Sequence, residues 1–84
     1  MEKRAFALIV LNKWYEICAV HVFHNRESAT EEMWDEVVEC QQSTEVQGKL
    51  PYIEELEDGI RLVWEGDCYY WHIVEDTDYE VNNP

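Results

Sequence analysis

Five carboxylates crowd one short stretch, SATEEMWDEVVECQQ over 28–42: Glu31, Glu32, Asp35, Glu36 and Glu39, with no basic residue among them. On a helix, side chains three or four positions apart are neighbours at about 6 Å. That spacing is of the same order as successive phosphates of one DNA strand, so such a row can compete for a site built to hold a phosphate backbone. The other residues able to do chemistry are less well placed. Cys18, His21 and His24 fall in CAVHVFH, where strand alternation puts Cys18 and His24 on one face and His21 on the other. His72 with Cys68 or Cys40 lacks a third group to orient a nucleophile–base pair. Neither EELED nor EDTDYE has the D-x-D-x-D-G spacing of a calcium loop, and three well-separated glycines make no phosphate-binding loop. No catalytic residue, metal or cofactor is expected.

The elements that must position the acids follow from pattern and punctuation. Residues 4–11, RAFALIVL, form a continuous apolar run that fits a strand covered on both faces or a central one. Asn12 and Lys13 suit a tight turn into a second β-rich run, WYEICAVHVFH. Ser28 followed by Glu31 is a capping box before an amphipathic run, which predicts a helix over 28–42. Residues 41–49 are polar with Gly48 and read as a loop. LPYIEELEDG, framed by Pro51 and Gly59, is either a short helical turn or the start of an edge strand. Strands over 60–64 and 68–74 about Glu65-Gly66-Asp67 form a second hairpin, and 75–84 is an acidic, frayed tail. The order strand, strand, helix, strand, strand (ββαββ) gives an α+β, two-layer domain. Its antiparallel sheet has about four strands, with one helix on one face.

Advancing 100° per residue places Ala29, Met33, Trp34, Val37 and Cys40 on one broad arc, with Val38 at its edge. The five acids take the complementary arc. Glu31–Asp35, Glu32–Glu36 and Asp35–Glu39 are then like-charged i,i+4 neighbours, each costing a few tenths of a kcal/mol. The helix dipole offsets part of this near the N-terminus, and folding explains none of the rest. An acidic helix face is most often a solvated face. Here the second half is equally one-sided, and Glu54, Glu55, Glu57, Asp58 and Asp76 join the helix acids as candidate partner-binding residues. Trp64, Tyr69, Tyr70 and Trp71 are available for a contact patch beside them, because one helix leaves the other sheet face with nothing to cover it.

The 84 residues fit a single domain, 1–84, and at 46% hydrophobic, with four Trp, five Tyr and two Phe, they can bury a small core. Nineteen acids against six bases give a net charge of −13. That excludes direct binding to nucleic acid or an anionic membrane and favours a basic partner, a cation or solubility alone. Three cysteines form no disulfide framework and read as independent buried thiols in a reducing compartment. Lys3 and Arg4 before 5–11 imitate a signal peptide, but Asn12, Lys13 and Trp14 follow where small residues should precede cleavage, so the run reads as a strand.

A short, acidic chain without catalytic motif resembles in kind the stoichiometric inhibitors that phages and bacteria direct against nucleic-acid enzymes. These include anti-CRISPR and anti-restriction proteins, DNA mimics, uracil-DNA glycosylase inhibitors and nuclease immunity proteins. The likeness rests on size and charge. It implies a cytoplasmic protein, in a bacterial host if phage-encoded, that is not an enzyme and occupies the basic nucleic-acid groove of an enzyme or defence complex. The alternative is a non-catalytic interaction or assembly module, with a homodimer allowed, whose acids serve solubility.

Overall fold

A computed structural model describes residues 4–76. They form β1 (Ala5–Asn12), β2 (Ile17–Phe23), α1 (Arg26–Val46), β3 (Tyr52–Leu56), β4 (Gly59–Trp64) and β5 (Asp67–Asp76). The strands make one antiparallel sheet in the order β2-β1-β5-β4-β3, with α1 lying across β1, β2, β4 and β5. The fold class is therefore corrected from four strands in ββαββ order to five in ββαβββ order.

The extra strand is the ambiguous segment. Tyr52–Leu56 pairs with β4 through a two-residue turn at Glu57-Asp58. Gly59 does not stop a helix. It opens β4, where an added Cβ would run into the Trp71 carbonyl oxygen of the neighbouring strand. Cross-strand bonding overrides the helical preference of the local glutamates.

The first hairpin is looser than a two-residue turn. β1 continues through Asn12, whose side-chain Oδ1 accepts from the backbone N–H groups of Trp14 (2.9 Å) and Glu16 (3.0 Å). This Asx-type turn lets Tyr15 take a left-handed conformation at φ 62°, so β2 begins at Ile17 rather than Trp14.

The helix is longer at both ends than 28–42. Asn25 is the N-cap, its side chain accepting from the Ser28 N–H at 2.7 Å, which moves Ser28 from cap to third helical position. At the C-terminus the Lys49 N–H reaches the Thr44 carbonyl (3.1 Å) and the Gly48 N–H the Glu45 carbonyl (3.0 Å). With Gly48 at φ 82° this is a Schellman ending, so the supposed loop over 41–49 is largely helix.

The core lies between α1 and one sheet face: Phe6, Leu8 and Val10 from β1, Ile60, Leu62 and Trp64 from β4, Trp71 and Ile73 from β5, and Ala29, Met33 and Val37 from the helix. Leu8, Leu62 and Val37 are wholly buried, each worth roughly 1.5–3 kcal/mol against exposure. The buried helical stripe is narrow. Trp34 and Val38, assigned to the apolar arc and its edge, are exposed, because a single helix on a sheet buries little more than the residues beneath its axis. β1 is central, as one reading of its apolar run requires, yet only its Phe6, Leu8 and Val10 side is covered. Glu75 and Asp76 belong to β5 rather than to a frayed tail, and the rest of that tail lies outside the described residues.

Candidate functional site

The five helix acids separate into two groups. Glu31, Asp35 and Glu39 are exposed on the outer side of α1, and the earlier helix start adds exposed Glu27 one turn before them. Glu32 and Glu36 are half-buried on the flank facing β2. Glu36 serves the core: its Oε1 accepts from the indole N–H of buried Trp71 at 3.3 Å, and its Oε2 lies 3.6 Å from His21 Nε2. Glu32 sits beside it. Its carboxyl is held above the usual range, first by sharing a hydrogen bond with Glu36, then by burial and the Glu36 charge, while His21 acts the other way.

No described Lys or Arg pairs with the outer row. The basic side chains that do form ion pairs are committed elsewhere: Arg4 and Arg26 to Glu75 (3.5 and 3.9 Å) and Arg61 to Glu54 (3.4 Å). Lys13 donates to the Gly66 carbonyl.

The acids of the second half do not merge into the row. Glu54 projects from β3 toward Arg61 on β4, its cross-strand neighbour. Glu55, Glu57 and Asp58 edge a shallow groove between the β3–β4 turn and the first half of α1, lined also by Arg26 and Trp34. Asp76 ends β5 at the register position opposite Ala5. The candidate partner-binding residues thus occupy different faces, and only Glu31, Asp35 and Glu39, with Glu27, make a continuous unpaired line.

The aromatics of the second hairpin divide by strand alternation. Trp64 and Trp71 are buried under α1 with Tyr69 packed against them, so three of the four supposed patch residues are core. Tyr70 points the other way, as does its register partner Leu11, onto the face that no described element covers. Burial raises the Tyr69 phenol above the ordinary value. The Tyr70 phenol is pushed up to about 12, first by its hydrogen bond with the Tyr15 hydroxyl, then by one with Cys68, then by burial. The two rings stack at 4.9 Å, with the Tyr70 hydroxyl donating to that of Tyr15 at 3.3 Å. Tyr70 also stacks with His72 at 6.2 Å.

The uncovered face is a feature the sequence reading placed only in outline. Ile17, Val20 and Val22 of β2 lie across from Leu11, Ile9 and Ala7 of β1, and Val74 of β5 also pairs with Ala7. Ile17, Val20, Val22 and Val74 are each about half exposed or more. The available signal was in ICAVHVF, which is apolar at both alternations and so cannot hide both its faces under one helix.

The cysteines are free. Cys40 and Cys68 are half-buried, but Cys18 is exposed, contrary to a buried thiol, because it falls where the β1–β2 register shifts on an edge strand. Burial, then the Asp67 charge, raises the Cys40 thiol above its ordinary value, the reverse of what a nucleophile requires. Among the described residues no three His, Cys, Asp or Glu side chains gather as metal ligands. Nor is any described helix long and apolar enough to cross a membrane. No family model, curated protein or solved structure matches the chain.

Proposed function

We propose that the protein is a non-catalytic, stoichiometric binder of a basic protein surface, of the kind that nucleic-acid-binding enzymes and defence complexes present. One observation carries this reading: Glu27, Glu31, Asp35 and Glu39 stand exposed at successive turns of α1, unrelieved by any described Lys or Arg. Like-charged i,i+4 neighbours weaken a helix, and three of the described arginines are spent on Glu54 and Glu75 instead. A helix roughly 31 Å long with carboxylates at each turn offers a basic groove a rigid substitute for a phosphate strand. Its charge accelerates encounter and suppresses wrong partners.

The test is capture at low salt from a cell extract by the immobilised protein, followed by salt elution. Basic nucleic-acid-binding proteins should be retained and should elute as ionic strength rises. The variant Glu31→Gln, Asp35→Asn, Glu39→Gln should retain them poorly. Recovery of acidic or neutral proteins only, or equal capture by the variant, rejects the proposal.

A further inference from the structure

The sheet face opposite α1 presents Ala7, Ile9 and Leu11 on β1, with Ile17, Val20 and Val22 of β2 on one side and Tyr70, His72 and Val74 of the middle strand β5 on the other. We infer that this face packs against the same face of a second copy, forming a two-fold dimer with the sheets inside and the helices outside. This is independent of the basic partner, which takes the opposite side of the molecule.

Three observations select a second copy as the occupant. The first is area. Five strands about 4.8 Å apart and some six residues long give a footprint of roughly 24 by 20 Å, on the order of 500 Å². Two such faces reach the ~1,000 Å² total that a biological interface should clear before side-chain relief is counted. The apolar residues of β1, β2 and β5 on this face are contiguous, and the largest apolar patch of a protein surface is often its functional one.

The second is charge. At −13 per chain, two copies associate only if their acids stay apart. Among the described strand side chains of this face the one carboxylate is Glu54, already paired with Arg61 at 3.4 Å, and that guanidinium also lies 5.9 Å from the Tyr70 ring. Asp76 lies at the very end of this face, at the register position opposite Ala5, and among the described side chains burying the face strands no lone carboxylate or guanidinium. With layers about 10 Å thick, the two acidic helices end about 30 Å apart, some three Debye lengths at 0.1 M salt. A basic partner gains little from this face, whose described carboxylate, Glu54, is already paired with Arg61 on β4.

The third is shape. Two identical twisted sheets pack face to face at about −30° as in any β-sandwich, and a two-fold axis makes the patch its own complement. The edge of β2 is a poorer contact, since the register shift near Cys18 interrupts its ladder.

Analytical ultracentrifugation of the full chain across about 5–500 µM tests this. The parent should rise from 10.1 kDa to twice that mass, and no higher. Val74→Lys, on central β5, and Val22→Lys, on β2, each place an unpaired ammonium in the interface and should weaken dimerisation at least about 100-fold. Both sites are solvent-facing in the protomer, so circular dichroism should show either variant folded, and if one fails to fold the other decides. Val38→Lys, on the outer helix, should dimerise as the parent does. A parent that stays monomeric at 500 µM overturns the inference. So does a dimer of parental strength in a folded Val74→Lys or Val22→Lys variant, which would place the contact elsewhere.

Discussion

The outer side of α1 and the uncovered side of the sheet both face solvent, and they are built from opposite materials. The helix surface carries Glu27, Glu31, Asp35 and Glu39 with no counter-ion among the described residues. The sheet surface carries valines, isoleucines and stacked tyrosines, with its one described carboxylate, Glu54, neutralised by Arg61. In a chain of net charge −13, random placement would scatter acids over both. Their segregation separates two kinds of contact. On the proposed reading, long-range attraction to a basic partner would belong to the helix and short-range apolar burial between two copies to the sheet.

Salt should break the two apart most sharply. Raising NaCl from about 0.05 to 0.5 M should weaken capture of a basic partner by roughly tenfold or more, because exposed charges are screened. The same change should tighten the sheet-to-sheet dimer, because the repulsion between two acidic protomers is screened while apolar burial is not. Both associations weakening together, seen in parallel titrations, would deny that the regions work by different forces.

Next in size is the neutralised helix. Glu31→Gln, Asp35→Asn, Glu39→Gln should slow association with a basic partner by about tenfold and leave the dimer as strong as before or stronger. Stopped-flow and sedimentation on the same sample read the two effects. Glu36 is kept out of this set because removing it would strip the indole N–H of Trp71 of its partner and confuse stability with recognition.

A smaller effect sharpens the account of the sheet face. The Tyr70 phenol is raised to about 12, mainly through Tyr15. A folded value above the unfolded one, ordinarily near 10, means the folded state keeps its proton longer. The associated stability is full below about pH 10 and is lost as pH climbs through the folded value. Ultraviolet titration at high pH should show late-ionising tyrosines, the last of them, Tyr70, moved down in Tyr15→Phe. An unchanged titration in that variant would remove Tyr15 as the cause.

The smallest effect lies on the helix flank. The Glu32 carboxyl is raised, chiefly by its hydrogen bond with Glu36, so its contribution is complete below its ordinary value, about 4.3 in the unfolded chain, and is lost as pH rises through the folded value. Glu32→Gln, which keeps a donor toward Glu36 at all pH, should melt slightly above the parent at pH 7, with the gap closing near pH 4. A gap that widens toward acid pH would contradict the shared proton.

What the sequence determined by itself is what depends on near neighbours. The apolar run of β1, the second hairpin (its turn tightened to Glu65-Gly66, since Asp67 opens β5 opposite Trp64) and the existence of α1 are written in local pattern and turn chemistry. So is the acidity of the row Glu31, Asp35, Glu39, because residues one turn apart on a helix must be neighbours whatever the fold. Even the misplaced helix ends were local: Asn25 and Gly48 carry the capping signals, and Ser28 with Glu31 is the weaker competitor. Tertiary structure alone decided the rest. Alternation says that Tyr69 and Tyr70 face opposite ways but not which of them the helix covers. Whether 52–56 becomes strand depends on β4 offering it a partner, a contact no local propensity encodes. Glu36 leaves the acidic surface because Trp71, 35 positions away, needs an acceptor. The bare sheet face exists because one helix can cover only one side of five strands, a fact of layer geometry that enters when the elements meet.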